Sequence, residues 1–316
     1  MRIFETHKRQ DNIMRNKWLG SLALVCVTFM QFSCGGCNGG SDGDIKFIPG
    51  DENGSVSDVN YNSDAMNEVI ASFPPPVYMA ALLKDSGVPF STRFLANPDE
   101  MKDYSTSFKK ALGLGILSAD LGYLNVYSKT SQILDYLVTI RRLTEDLKVG
   151  QFFDFQSLKR LATSEDNIDS LQYMCTQSFQ NMDEHLRSNQ RSNLSALLVT
   201  GVWVESLYLI TQVAKEQPND QFKETVGEQK GILNNLLPIL KNFKDTDKNF
   251  EELVQNLEEL KEVLDVAKIT VHVDENAQAR EDGIIVQNEY SVVELSKEEL
   301  QEIITTTEKI RNRIVK

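Results

Sequence analysis

Asp120 and Glu205 are the residues of this chain whose surroundings best suit chemistry. Each acid precedes a tyrosine by three residues, Tyr123 and Tyr208, which sets acid and phenol on one face of a helix. Each also lies in an apolar stretch, Ala111–Leu124 (ALGLGILSADLGYL) for Asp120 and Ser192–Gln212 (SNLSALLVTGVWVESLYLITQ) for Glu205. A carboxylate in such a stretch is costly to bury unless it is paired or protonated. Two carboxyls in a dry interior would have raised pKa values, which is how acid–base pairs in hydrolases are prepared. A structural role uses the same groups. The carboxyls would then bind tyrosine hydroxyls, backbone amides, or Arg141, Arg142 or Arg191, and so fix helix register. Trp203 and Tyr208 could stack on a sugar or another flat ligand, although aromatics at this spacing belong more often to a core.

These residues need helices to hold them. Leu194, Leu198, Val202, Glu205 and Leu209 recur at three- and four-residue steps, so one helical face carries them all. The remaining faces are apolar too, as expected of a central helix walled in by others. The two stretches align without gaps at a spacing of 85 positions, pairing Ala111 with Ala196, Asp120 with Glu205, Tyr123 with Tyr208 and Leu124 with Leu209. Gly113 and Gly115 fall inside the first stretch with no strand signal before them, so close helix packing is expected there rather than phosphate binding.

Composition narrows the function classes. The first 33 residues hold five basic and two acidic residues, and without them 28 basic face 44 acidic residues. Nucleic acid and anionic lipid head groups both require clustered cations, so neither is expected as a partner.

The amino-terminal region carries export signals. Trp18–Phe32 is an apolar run of signal-peptide length behind Arg15 and Lys17, and Met14 opens a more ordinary signal than Met1. Phe32-Ser33-Cys34-Gly35-Gly36 resembles a relaxed bacterial lipobox of the Bacteroidota type, with Gln31 where stricter versions carry Leu. Cys34 would then be lipidated and become the first mature residue. Cys34-Gly-Gly-Cys37 also reads as CxxC, yet redox or zinc chemistry needs a folded context that a signal core does not supply. Asn38–Asn60 is rich in Gly, Asp, Ser and Asn and is expected to be a tether. Cys175, on an apolar stripe, is expected to be an inert thiol.

Helical patterns follow at Val77–Ser86, from Asn97 to about Tyr127, Ser128–Val149, Phe155–Ala162, Asp166–Ser188, Ser192–Glu216 and Asp220–Phe243. Pro238 should kink or end the last of these. Asn249 to Glu252 forms a cap pair for another helix, and Ser296 to Glu299 a capping box for the carboxyl-terminal one over 297–315. Leu300, Ile303, Thr307, Ile310 and Ile314 form the buried face of that final helix. Between the two, 269–295 reads as a β-hairpin with a polar tip, Asp274–Asp282.

Metal sites lack support. His185 and His272 stand without HExxH or ExxH, and His185 is expected at a rim. Asp245-Thr-Asp247-Lys-Asn249 starts like a calcium loop, but Phe250 holds the turn-glycine position and Asn256 the closing-acid position. It reads instead as a turn and helix cap. GxSxG, Walker and dinucleotide glycine patterns are absent from the sequence.

Ser118-Ala-Asp-Leu-Gly-Tyr123 and Gly201-Val-Trp-Val-Glu-Ser-Leu-Tyr208 resemble a set of uncharacterised helical lipoproteins of the Bacteroidota, over roughly Lys110 to the carboxyl terminus. The resemblance implies a helical fold and an envelope location, and it implies no substrate or catalytic residue.

The expected architecture is therefore all-α: a signal peptide over 1–33, a tether over 34–60, and a helical domain over 61–316. That domain would be an antiparallel bundle or stacked helical hairpins, with a small β-hairpin near the carboxyl terminus. The expected role is that of a lipid-anchored cell-envelope protein, in the outer membrane, which binds or supports an envelope protein or glycan. No cofactor and no metal are expected. The alternatives are a glycan or peptidoglycan hydrolase using Asp120 and Glu205, and a receptor for a small molecule held near Trp203.

Overall fold

The computed structural model describes residues 76–162, 168–273, 278–279, 285–286 and 289–315. The signal peptide, Cys34, Cys37 and the tether lie outside the described residues, as do the side chains of Cys175 and His272. The chain is all-α in class, with ten α-helices among the described residues: α1 Pro76–Asp85, α2 Pro98–Met101, α3 Ser107–Val126, α4 Thr130–Asp146, α5 Phe155–Ala162, α6 Ile168–Ser188, α7 Ser192–Glu216, α8 Asp220–Lys241, α9 Lys248–Leu264 and α10 Lys297–Ile314. These helices belong to one helical body. The described residues of the segment 270–292 are grouped in a second unit.

Helix α7 is the axis of the body. Every residue from Leu194 through Ala214 is buried, which explains why its sequence is apolar on all faces. It is long and apolar enough to cross a membrane, yet the qualifying window lies entirely inside the body. Helices α1, α3, α6, α8 and α10 pack around it, and α9 packs against α8 and α10.

The most extensive helix–helix contact joins α3 to α7, the two stretches whose residues align. Two glycines set its closeness. A methyl group on Gly115 would stand 2.2 Å from the carbonyl oxygen of Leu198, and one on Gly201 would stand 2.1 Å from that of Leu112. The two backbones therefore touch without side chains between them. Gly113 also marks a close approach, with the Tyr104 ring in the space its Cβ would enter. This is the packing role expected of Gly113 and Gly115.

Several local expectations are revised. The helix expected from Asn97 to about Tyr127 is two helices. Asn97 caps α2 by accepting from the Asp99 amide, but Thr106 accepts from the Lys109 amide and starts α3 afresh. A threonine side chain offering the backbone such a bond competes with a continuous helix. Helix α4 starts later than expected, because Ser128 takes a left-handed turn conformation at φ 54°. Asp247, not Asn249, caps α9, accepting from the Asn249 amide. Helix α8 runs only three residues past Pro238. The Ser296–Glu299 capping box of α10 forms with both of its bonds, at 2.7 and 3.2 Å.

The β segment is also more divided than one hairpin. β1 (Lys268–Val273) pairs with β4 (Glu289–Glu294), while β2 (Gln278–Ala279) pairs antiparallel with β3 (Ile285–Val286). Gln278 faces Val286 and Ala279 faces Ile285, so part of the expected polar tip is drawn into a ladder by two β-branched residues.

Gly201→Ala drives a methyl group into a backbone carbonyl and is expected to cost about 3 kcal/mol in urea unfolding. Gly231→Ala, on the exposed side of α8 with open space at its Cβ, is expected to gain about 0.5–1 kcal/mol. Equal effects at the two positions would show that the α3–α7 crossing is not backbone-tight.

Candidate functional site

Asp120 and Glu205 meet. Asp120 lies about one turn beyond Gly115 on α3, and Glu205 about one turn beyond Gly201 on α7. Both carboxyls are completely buried, at 0% exposure. Glu205 is gripped by Arg311 of α10: Nε donates to Oε2 at 2.9 Å and Nη2 to Oε1 at 2.7 Å. This two-pronged geometry is the strongest form of carboxylate pairing available to a side chain. The guanidinium, 6% exposed, also lies over the Tyr208 ring, 4.5 Å from its centroid.

Asp120 is held differently. Its Oδ2 accepts the Ala96 amide at 2.9 Å, and the Ala96 carbonyl accepts the Tyr136 hydroxyl from α4. Its Oδ1 accepts no hydrogen bond. Burial raises the Asp120 pKa well above its ordinary 3.8, and the nearby charge of Glu205 raises it further, against the opposing pull of Arg311 and the Ala96 amide. Burial thus favours the protonated form of Asp120. Its Oδ1 is buried without a hydrogen-bond partner, and Glu205 on α7 is its acidic neighbour. With Asp120 protonated, the Arg311–Glu205 ion pair leaves the cluster without net charge.

The surrounding groups respond to the same field. Burial by itself would push Arg311 down, but the charge and hydrogen bonds of Glu205 outweigh it, so the guanidinium holds its proton more firmly than usual. Burial pushes the Tyr136 phenol far up, helped by the neighbouring acids. Tyr208 is pushed up by burial, with Arg311 pulling against it.

The other expected site residues have core roles. Tyr123 is fully buried, but its hydroxyl accepts from the Ser91 amide at 3.0 Å and its ring stacks on Phe90 at 5.4 Å. Neither Tyr123 nor Tyr208 gives its hydroxyl to a carboxyl as the sequence had led one to expect. The Trp203 indole, fully buried, donates to Gln229 Oε1 at 3.1 Å. The arginines expected to partner the acids do not. Arg141 pairs with Glu145 on the surface, Arg142 is exposed, and Arg191 stands at the start of α7. Arg311 takes that role from 106 positions away. Its signal was present in the sequence, since it follows Thr307 by four residues and Ile310 by one on the buried face of α10.

A second buried polar knot went unread. Asp183 of α6 accepts the Ser195 hydroxyl at the start of α7 and pairs with Arg187 at 2.7 Å, tying α6 to the axis helix. His185, half-buried, lies against Phe152 with ring centroids 5.0 Å apart, a rim position. Among the described residues no group of three His, Cys, Asp or Glu side chains could hold a metal ion. Comparison with known protein families, with curated proteins and with solved structures returns no match, so this geometry stands alone as the basis for a functional reading.

Arg311→Met strands the Glu205 anion in the core and is expected to cost about 3–5 kcal/mol. Glu205→Gln, which strands the cation, should cost a similar amount. The double variant should lose much less than the two losses added, because the remaining side chains carry no charge to desolvate. Urea unfolding of all three at pH 7 measures this, and additive losses would mean that the two groups are not coupled.

Proposed function

We propose that this is a lipid-anchored protein of the bacterial cell envelope, in the outer membrane, whose helical body binds or supports a protein or glycan partner rather than turning over a substrate. The export reading rests on the sequence: a signal-length apolar run behind two basic residues, a lipobox-like cysteine at Cys34, and a polar tether. The resemblance of SADLGY and GVWVESLY to helical lipoproteins of the Bacteroidota agrees with it.

One observation carries the non-catalytic part. The only strongly perturbed carboxyl among the described residues, Asp120, is sealed from solvent together with Glu205, and Arg311 occupies both oxygens of Glu205. A glycosidase needs two carboxyls flanking a bond that the substrate can bring between them. Here protein fills that position. The fully buried indole of Trp203, engaged with Gln229, likewise offers no face to a ligand.

The anchor is tested by growing the producing bacterium with a radiolabelled or alkyne-bearing fatty acid and comparing wild type with Cys34→Ala. Label and membrane association are expected in wild type and lost in the variant. Equal labelling of both, or label in neither, would refute the anchor. Hydrolysis of envelope glycan by the purified protein, abolished by Glu205→Gln in a folded variant, would refute the non-catalytic reading.

A further inference from the structure

The cluster of Asp120, Glu205 and Arg311 joins three helices that are distant in sequence, and its charge balance depends on one hydrogen atom. We propose that helix α10 is a proton-gated latch: it is seated while Asp120 holds its proton and is released when that proton leaves.

The groups around Asp120 show why. From α7 it is faced by Glu205, with Tyr208 behind; from α10 by Arg311; from α4 by Tyr136; and from the segment before α2 by the Ala96 amide. The neighbouring helices α1 and α2 bring no spare cation, since Lys84 is engaged with the Val126 carbonyl and Lys102 with Asp99. Arg311 is the one cation of the cluster, and both prongs of its fork are committed to Glu205. Ionising Asp120 therefore places a second anion in a dry interior against one cation already in use. Water can restore the balance if an element moves aside.

Helix α10 is the element suited to move. Apart from Arg311, its apolar face, the Arg313–Asn256 bond at 2.8 Å and the Tyr104 hydroxyl on the Val315 carbonyl just past its end, its ties are surface ion pairs: Glu308 with Lys215, Lys309 with Glu259, and Arg313 with Glu259. Such exposed pairs hold weakly. Helices α3 and α7, in contrast, are locked by the glycine crossing and cannot separate without breaking the core.

The direction with pH follows from the sign of the shift. The folded-state pKa of Asp120 is raised above its ordinary 3.8, so the stabilising contribution is fully present below about pH 4 and is lost as pH rises toward the folded-state value. Over that window each pH unit should favour the open form about tenfold. Asp120→Asn imitates the protonated acid, accepting from Ala96 with its oxygen and donating toward Glu205 with its amide.

The test is hydrogen exchange of the full-length protein from pH 4 to 9, corrected for the intrinsic pH dependence of exchange. In wild type, protection of the α10 amides should fall steeply with pH while that of α7 holds. In Asp120→Asn it should stay level. A level wild-type profile, an equal slope in the variant, or loss spread evenly over α7 and α10 would overturn the latch. Should Asp120→Asn fail to fold, infrared spectroscopy of wild type decides: the carbonyl stretch of one protonated carboxylic acid must outlast those of the exposed carboxyls and disappear together with α10 protection as pH rises. Its loss together with the exposed carboxyls would overturn the proposal.

Discussion

A buried anion needs a partner, and much of this protein is arranged around supplying one. Glu205 is the only charged residue between Leu194 and Ala214 of the axis helix, in a span where every position is buried. Leaving it there alone would cost far more than a single domain's stability can absorb. Arg311 answers it from α10, Tyr208 supports the guanidinium from below, and burial favours the neutral form of Asp120 beside it. Helix α10 must therefore dock where it does, and the segment around Ala96 is tied in by the hydrogen bonds to Asp120 and Tyr136.

That arrangement depends on how closely α3 and α7 approach. Gly115 and Gly201 let the two backbones touch, which brings the carboxyls one turn further along into a shared pocket of protein. Two buried threonines of α7 are satisfied locally. Thr200 donates to the Ala196 carbonyl at 2.7 Å, and Thr211 to the Tyr208 carbonyl at 2.8 Å. These bonds stay within the helix and place no demand on its neighbours. Glu205, too long and too charged to be satisfied that way, and Ser195, which reaches Asp183 on α6, are what make α7 specific about its partners.

A fully satisfied buried ion pair adds little to stability compared with apolar residues of the same volume, but it penalises every misplaced alternative. In a body whose helices offer mostly leucine, isoleucine and valine to one another, many packings are close in energy. Charge pairing across α7 and α10, together with Asp183 and Ser195 between α6 and α7, selects one of them. The same features that make Asp120 and Glu205 look like a hydrolase pair are therefore those expected of a register lock. Solvent access separates the two readings, and here both carboxyls are closed.

The sequence by itself determined the helices, because periodicity and capping are local. The span Ser192–Glu216, the helix at Phe155–Ala162 and the Ser296–Glu299 capping box were all legible from spacings of three and four residues. It also marked Asp120 and Glu205 as unusual, since a charge on an apolar stripe is a conflict visible without coordinates. Where two local signals compete, as at Thr106 inside an expected continuous helix, pattern alone could not say which would win. Only the tertiary structure decided what resolves the charge conflict. Arg311 lies 106 positions from Glu205, and nothing in the spacing of either helix connects them. The nearer arginines at 141, 142 and 191 were equally good candidates by chemistry and are ruled out by where their helices point. Pairing across a core depends on which faces meet, and that is settled by how the helices pack rather than by the spacing of the residues that carry the charge.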